Sequence, residues 1–371
     1  MNEADRGPAA GWNVGPGFRA PLSERLQVSL ARAARWEFWP HWLWYLPVVG
    51  YIVARGLRAS SPTVFTAANP AMEAGGLVGE RKAEILQPIA AHDPDLVAEF
   101  EHVPSTLAVG ERLRRVVAFA GRHGWPLILK PDIGQRGRGV QVIRTSDDAS
   151  AYLAHAPGDV LVQRYVEGAE FGLFVYRDPR SGTAEVLSIT SKNFPAVTGD
   201  GTSTLAALIR HDARARLISP FLWKRWAQQL DWVPAAGERV QLVEIGAHCR
   251  GSLFLDASHL AGDGLRGWVA RVFRAAPGYH FGRLDVRCPS PEHLARGEGI
   301  RILEVNGVSA EAAHIYHPGT PLLDGYRSMF RQWGLAFDIG EANAKAGAAV
   351  TDKFELLRRW REDEKRGVGW F

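Results

Sequence analysis

A lysine followed by a glycine-rich loop is the first feature of the sequence that could perform chemistry. Lys130 ends an apolar run and is followed by Gly134, Gly137 and Gly139, and then by a β-branched run at 140–143. Glycines leave backbone N–H groups uncovered, and successive N–H groups form a nest that binds anions such as phosphate. The pattern predicts a strand, a loop that lies over phosphates and a second strand. An ordinary glycine hairpin with surface arginines is the alternative.

This loop is not one of the two commonest phosphate-binding loops. A P-loop requires a Gly-Lys-Ser/Thr sequence, which does not follow the glycines here. A dinucleotide fingerprint requires a helix after the glycines, whereas the residues that follow favour a strand.

Two predicted strands each carry polar side chains on a single face. They are the strand at 282–288, with Arg283, Asp285 and Arg287, and the strand at 300–305, which leads Glu304 and Asn306 to one side. If the two strands pair, Asp285, Glu304 and Asn306 form a cluster of oxygen ligands, which suits Mg²⁺ shared with substrate phosphates. Charges on a solvated face of a sheet are the alternative interpretation.

The elements around these residues alternate between helix and strand. Thr63 to Thr66 is predicted as a strand, and 80–87 as a helix that stops at Pro88. Helical spacing over 111–122 is followed by the glycine hairpin, a helix at 147–156 and a strand at 160–163. Further strands are predicted at 171–176, 185–190 and 240–245, and further helices at 204–217, 263–275, 321–333 and 354–371.

The segment 36–54 is rich in tryptophan and has arginines on both sides. Glu37, Pro40 and Pro47 make it a poor membrane span, since a spanning helix needs about 20 mostly apolar residues. Trp and Tyr favour the headgroup boundary, so an interfacial membrane anchor is one interpretation. The other is an apolar segment packed on this protein's own surface or on a partner subunit.

Composition indicates a globular protein of two or three domains, because 371 residues with 46% apolar content can bury a large core. The net charge of +4 comes from dispersed residues without a Lys/Arg block, which argues against a nucleic-acid partner. Cys249 and Cys288 give no disulfide framework, which favours a reducing compartment. We expect a cytoplasmic protein that could also lie peripherally on a membrane.

Four sequence motifs, in order, resemble the ATP-grasp superfamily. They are the glycine loop after a strand lysine, Gln-Arg-Tyr-Val-Glu-Gly-Ala-Glu at 163–170, Gly-Arg-Leu-Asp-Val-Arg at 282–287 and Leu-Glu-Val-Asn-Gly at 303–307. Their order is similar to that of carboxylate–amine ligases such as D-alanine:D-alanine ligase, over about residues 105–340. The loop that begins at Lys192 resembles the cyanophycin synthetase branch.

The resemblance implies an α+β ATP-grasp fold, in which two α+β lobes clasp the nucleotide beside a smaller α/β N-terminal region. We expect an N-terminal extension at 1–60 and a small α/β region at 61–110. The central lobe would then cover 111–167, the C-terminal lobe with the metal site 168–345, and a C-terminal helix 346–371.

The resemblance also assigns roles to individual residues. Those expected to contact ATP are Lys130, Lys192, Gly137, Gly139, Gln163, Tyr165, Val166 and Glu170, with Glu170 on the ribose. Those that match magnesium ligands are Asp285, Glu304 and Asn306, which would hold two ions. Arg283 and Lys192 would steady the transferring phosphate. Gln163 stands where a glutamate is usual, although its amide oxygen can still accept a hydrogen bond from adenine.

Candidate contacts to the other substrates are less specific: Arg250, His248, Ser309 and Glu311. Arg250 offers a fork for a carboxylate. His248 is either substrate-binding or structural. Glu311 and His314 could receive the proton of an amine or could simply line a helix.

The reaction implied is ligation of a small-molecule carboxylate to an amine through an acyl phosphate, with release of ADP and phosphate. One alternative is an ATP-grasp enzyme that uses another nucleophile. The other is a membrane-associated regulatory protein that binds ATP without turning it over.

Overall fold

The computed structural model describes residues 21–59, 61–134, 137–243 and 252–365. These residues form two compact units. One contains the described residues up to Trp44 together with those of Lys192–Leu253, and the other contains Tyr45–Ser191 and Phe254 onward. Among the described helices, none combines the length and the apolar character that a membrane-spanning segment requires.

Twelve α-helices lie in the described part of the chain. They are α1 (Leu22–Ala33), α2 (His41–Arg58), α3 (Lys82–His92), α4 (Val109–His123), α5 (Ser146–His155), α6 (Leu205–His211), α7 (Ala213–Leu217), α8 (Ser219–Arg225), α9 (Asp263–Ala275), α10 (Pro291–Arg296), α11 (Leu322–Lys345) and α12 (Lys353–Lys365).

The strands are β1 (Phe100–Val103), β2 (Leu127–Pro131), β3 (Gln141–Ile143), β4 (Val160–Arg164), β5 (Ala169–Arg177), β6 (Ala184–Asn193), β7 (Ala196–Thr198), β8 (Arg239–Gln241), β9 (Leu253–Asp256), β10 (Phe281–Cys288) and β11 (Arg301–Asn306). The mixture of helices with antiparallel sheets confirms the predicted α+β class.

A four-stranded sheet in the order β1-β4-β2-β3 carries Lys130 and Gln163. Its apolar side packs on α4 and α5 around Val116, Phe119 and Leu153. Thr145 caps α5 in a reciprocal arrangement with Asp148, in which each side chain accepts from the other residue's backbone N–H. This sheet therefore gives the loop that follows Lys130 a rigid base.

A five-stranded sheet in the order β11-β10-β5-β6-β9 carries the acidic cluster. One face of it packs on α3 and α9 through buried residues such as Leu86, Ile89, Trp268 and Val272. Alternation along β10 buries Leu284 and Val286 in this core. The side chains of Arg283, Asp285 and Arg287 consequently face the opposite side of the sheet.

The other unit has its own apolar core, formed by side chains from α6, α8 and β8 such as Leu205, Trp223 and Val240. Two ion pairs attach the N-terminal segment to this core. Arg210 lies 3.0 Å from Glu24 of α1, and Arg214 lies 3.0 Å from Glu37. Lys192, at the end of β6, is buried and belongs to this unit.

Several local predictions were wrong, including the strand predicted at 240–245, which ends at Gln241, and the helix predicted at 321–333, which continues to Lys345. Residues 64–68 form a 3₁₀ helix instead of a strand, and the helix predicted to stop at Pro88 continues to His92. Pro88 removes one backbone donor, but burial of Leu86 and Ile89 on either side of it holds the helix together. The helix predicted at 204–217 is interrupted at Asp212, whose carboxylate accepts from the N–H groups of Arg214 and Ala215 and begins α7.

Candidate active site

The acidic cluster is assembled by the pairing of β10 with β11. In this antiparallel pair Asp285 lies opposite Glu304, and Arg283 lies opposite Asn306. The backbones approach so closely at Gly282 that a Cβ there would lie 1.9 Å from the carbonyl oxygen of Asn306. Only glycine therefore allows this register where the cluster begins.

Charged groups of both signs surround the cluster. Arg283 Nε donates to Asp285 Oδ1 at 2.9 Å, and Arg283 Nη1 donates to the backbone carbonyl of Glu311 at 3.3 Å. Burial lowers the pKa of Arg283, but Asp285 and Glu304 more than offset it, so that the pKa is above its ordinary value. Arg283 therefore stays protonated beside the two carboxylates.

Lys130 connects the two sheets at the cluster. Its Nζ donates to Gln163 Oε1 and to the carbonyl oxygen of Leu303, both at 2.9 Å. Burial lowers the pKa of this lysine to about 8, and the charge of Glu304 opposes that shift. Gln163 thus lies beside the lysine, on the strand where the predicted hinge begins.

The glycine loop follows β2, the strand that contains Lys130. Gly137 and Gly139 have φ of 68° and 70°, a conformation that favours glycine, and the N–H of Val140 donates to the carbonyl of Gly137 at 3.2 Å. Tyr152 of α5 donates to the carbonyl of Gly139 at 2.7 Å. Residues 135–136 lie outside the described part of the chain.

Lys82 is a member of the site that the sequence analysis missed. Its buried Nζ donates to the carbonyl of Gly134 at 2.7 Å and lies 3.7 Å from Glu304 Oε1. At the start of α3, the N–H of Ala83 donates to Asp132 Oδ1 at 2.8 Å. No local motif marks Lys82, because its position depends on α3 packing against the base of the glycine loop.

Glu80 is a second missed residue. Its Oε1 accepts from the N–H of Gly307 at 2.7 Å and from the hydroxyl of Ser309 at 3.5 Å. Burial raises the pKa of Glu80 to about 7, against the effect of the Gly307 hydrogen bond. The predicted contact residue Ser309 is therefore held next to the end of the cluster strand.

Glu311 follows the turn that comes after β11. Its carboxylate accepts hydrogen bonds from Tyr45 of α2 and, at 2.8 Å, from Tyr316. His314 lies in the 3₁₀ helix Ala313–Tyr316, and burial lowers its pKa. His248 and Arg250 lie outside the described residues, so their substrate contacts stay predictions.

The predicted nucleoside residues meet at Arg287. Glu170 Oε2 accepts from Arg287 Nε at 3.1 Å, and the carbonyl of Val166 accepts from Nη1 at 2.7 Å. The ring centroid of Tyr165 lies 5.0 Å from the guanidinium carbon. Sequence alternation placed Arg287 on the face of Asp285, but its partners depend on the pairing of β10 with β5.

The donor set fits magnesium. Two carboxylates opposite each other, with an amide from Asn306 on the same face, offer only oxygen ligands. Within the described ranges, no group of three or more His, Cys, Asp or Glu side chains could bind a metal ion by itself. Oxygen ligands of this kind suit Mg²⁺, which takes further oxygens from substrate phosphates.

Residues 95–171 match the family model for the carbamoyl-phosphate synthase L chain, ATP binding domain. This region contains Lys130, the glycine loop and the segment from Gln163 to Glu170. The match confirms the predicted resemblance to the ATP-grasp superfamily. No curated protein matches the sequence.

Several solved structures are similar to this chain. A bifunctional glutathione synthetase from Pasteurella multocida is 17% identical, with a TM-score of 0.35, and the match covers 71% of this chain and 38% of that one. A D-alanine–D-alanine ligase from Bacillus anthracis, complexed with ATP, is 11% identical with a TM-score of 0.38, over 72% of this chain and 67% of that one. A D-cycloserine synthetase is 13% identical with a TM-score of 0.38, over 68% and 70%. The match thus spans only 38% of the length of the first of these.

Proposed function

We propose that this protein is an ATP-dependent carboxylate–amine ligase. Two observations carry the proposal together. Asp285 faces Glu304 across β10 and β11, and Lys130 donates to the carbonyl of Leu303, the residue before Glu304 on β11. A substrate carboxylate oxygen attacks the γ-phosphorus of ATP, the bond to the β–γ bridging oxygen breaks, and ADP leaves. The amine nitrogen then attacks the acyl carbon, phosphate leaves, and the amine loses a proton.

The residues of this site contribute mainly charge and position. Magnesium, held by Asp285, Glu304 and Asn306, would neutralise the phosphate oxygens. Lys130 and Lys82 present two cations at the base of the glycine loop, and Arg283 presents a third beside Asp285. Preorganised positive charge of this kind lowers the barrier to phosphoryl transfer without covalent help from the protein.

Trapping of the activated acid tests the proposal. Pools of carboxylic acids are incubated with the protein, ATP, magnesium and hydroxylamine, and hydroxamate and ADP are both measured. We expect hydroxamate to form in proportion to ADP for one class of acid, because hydroxylamine intercepts an acyl phosphate. Replacing hydroxylamine with pools of amines should then give an amide.

Other outcomes of this experiment identify the alternatives. ADP formed with an acid but without hydroxamate would indicate a different nucleophile or product. ATP binding without ADP formation over broad pools of acids and amines would favour a regulatory protein that does not turn ATP over.

We also propose that the protein contacts anionic membrane surfaces through α2. The inward side of this helix packs on α11, where Tyr51 stacks on Phe330 at 4.8 Å and Arg55 lies 2.5 Å from Asp338. The outward side is apolar and exposed at helical spacing: Trp42, Leu46, Val49, Val53 and Leu57. The helix contains no acidic residue, and the exposed Arg58 at its end complements anionic lipid.

Vesicle sedimentation tests this contact. We expect the protein to pellet with vesicles of equimolar phosphatidylglycerol and phosphatidylcholine, and less with phosphatidylcholine alone. The double variant Val49→Glu/Val53→Glu should bind at least about tenfold more weakly, since two valines lose their burial and two like charges face the lipid. The matched control is Val109→Glu/Val117→Glu on α4, where both valines are comparably exposed.

Equal pelleting of the two double variants would contradict the proposal. The wild-type protein could also fail to pellet and be a dimer by analytical sedimentation, while the double variant is a monomer. That result would assign the exposed face of α2 to a second copy of the chain.

A further inference from the structure

Arg287 is a buried cation in contact with Glu170, Val166 and Tyr165 at one end of the candidate site. Its side chain and that of Glu170 are each 9% exposed. Arg287 Nε and Nη2 both reach Glu170 Oε2, at 3.1 and 3.0 Å, and Nη1 reaches the carbonyl of Val166 at 2.7 Å. The guanidinium also lies 5.0 Å from the ring centroid of Tyr165.

These partners are residues that the resemblance assigns to the nucleoside of ATP. Tyr165 and Val166 belong to the predicted hinge, and Glu170 to the ribose contact. The hydrogen bonds of Arg287 to Glu170 and to the carbonyl of Val166 join it to these residues. The arginine therefore belongs to the sugar end of the site.

A planar guanidinium is well suited to this position. It stays protonated, and its donors have a fixed geometry, so contacts to two chain segments also fix those segments relative to each other. Here the register of β10 with β5 places Arg287 opposite Glu170, and Nη1 joins this pair to the hinge. The carboxylate of Glu170 is thereby held in one orientation.

We propose that Arg287 is the positioning residue that makes the site selective for the ribose hydroxyls of the nucleotide. The inference rests on the proposed function, because it requires ATP to bind at this site. Arg287 orients Glu170 as the hydrogen-bond acceptor for the sugar.

Removal of the guanidinium should change selectivity and not only affinity. Glu170 then lacks the group that orients it, so the sugar hydroxyls lose a defined charged acceptor. Lys130 donates to the carbonyl of Leu303 and Lys82 to the carbonyl of Gly134, and we expect both contacts to stay in place. Affinity for a nucleotide without ribose hydroxyls should consequently change little.

Calorimetric binding of two nucleotides tests this without knowledge of the acid or amine. Dissociation constants for ATP and for 2′,3′-dideoxy-ATP, both with magnesium, are measured for the wild type and for Arg287→Met. We expect the wild type to favour ATP by at least about tenfold, the factor that corresponds to one hydrogen bond to a charged group. In Arg287→Met the ratio should fall to about one to three, mainly through weaker ATP binding.

Two further variants make the result decisive. Arg287→Lys keeps the charge but not the fork, and it should give an intermediate ratio. Arg301→Met is the matched control, because Arg301 lies opposite Arg287 on β11 but pairs with Asp95 at the surface, and its ratio should equal that of the wild type.

The inference is overturned if Arg287→Met weakens both nucleotides by the same factor. If Arg287→Met does not fold, an unchanged ratio in folded Arg287→Lys overturns it equally. Failure of the proposed function looks different: the wild type itself would then bind neither nucleotide.

Discussion

Glu304→Gln is expected to lower the rate of magnesium-dependent ATP turnover by at least about 1,000-fold. The substitution keeps the size of the side chain but removes one of the two carboxylates that face each other across β10 and β11. Loss of groups that merely support a metal ligand costs about 10–100-fold, so loss of a ligand should cost more. Lys82, 3.7 Å from Glu304, would also lose the charge that it faces.

The measurement is ADP formation against magnesium concentration, with the acid and amine found by trapping. Glu101→Gln is the control, since Glu101 is also on a strand but forms a surface pair with Arg122 at 2.8 Å. Turnover in Glu304→Gln within a few-fold of the wild type, with the same magnesium dependence, would remove Glu304 from the metal site.

Much of the acidic cluster could be predicted from the sequence because it depends on local alternation. One strand places Asp285 on the face of Arg283, the next places Glu304 near Asn306, and only the pairing of neighbouring strands had to be assumed. The structure supplies that pairing, and Gly282 supplies the close approach that it requires.

Lys82 and Glu80 could not be found in this way, because neither lies on a strand of the cluster. The N–H groups of Val308 and Ser309 donate to the carbonyls of Gly75 and Gly76, which brings the chain before α3 against the turn after β11. Such a contact joins residues more than 200 positions apart, as in the hydrogen bond of Glu80 with Gly307. No periodicity in a single segment encodes it.

The 3₁₀ helix at Val64–Ala68 shows the same limit for the fold. Thr63 to Thr66 has the β-branched content of a strand, but its polar groups are satisfied elsewhere. The hydroxyl of Thr63 donates to the carbonyl of Thr351 at 2.6 Å, and the hydroxyl of Thr66 donates to the carbonyl of Thr63 at 2.8 Å. Tertiary contacts thus override the local β propensity.

Asn69→Asp is expected to be strongly destabilising, although it exchanges only an NH₂ group for an oxygen. Asn69 is fully buried, and its Nδ2 donates to the carbonyls of Gly75 and Phe281 at 3.0 and 2.8 Å. Its Oδ1 accepts from the N–H groups of His280 and Phe281, both at 2.9 Å. Every partner fits this one orientation of the amide, because the reverse orientation would point two donors at two donors.

An aspartate would keep the two accepted hydrogen bonds and place its second oxygen against two carbonyl oxygens. Each buried group left unsatisfied costs about 1–3 kcal/mol, and a buried charge costs more. We therefore expect the free energy of unfolding to fall by at least about 3 kcal/mol. Denaturant unfolding followed by tryptophan fluorescence measures this, with Asn193→Asp as the control at an exposed asparagine.

The consequence should extend to the active site, because Asn69 fixes the backbone where β10 begins, two residues before Arg283. We expect Asn69→Asp to lose ATP affinity under conditions in which the protein is still folded, since the register of β10 with β11 sets the cluster. A variant as stable as the wild type would show that this loop does not anchor β10. A variant that is destabilised but binds ATP normally would show that the register is fixed elsewhere, by the pairing of β10 with β5.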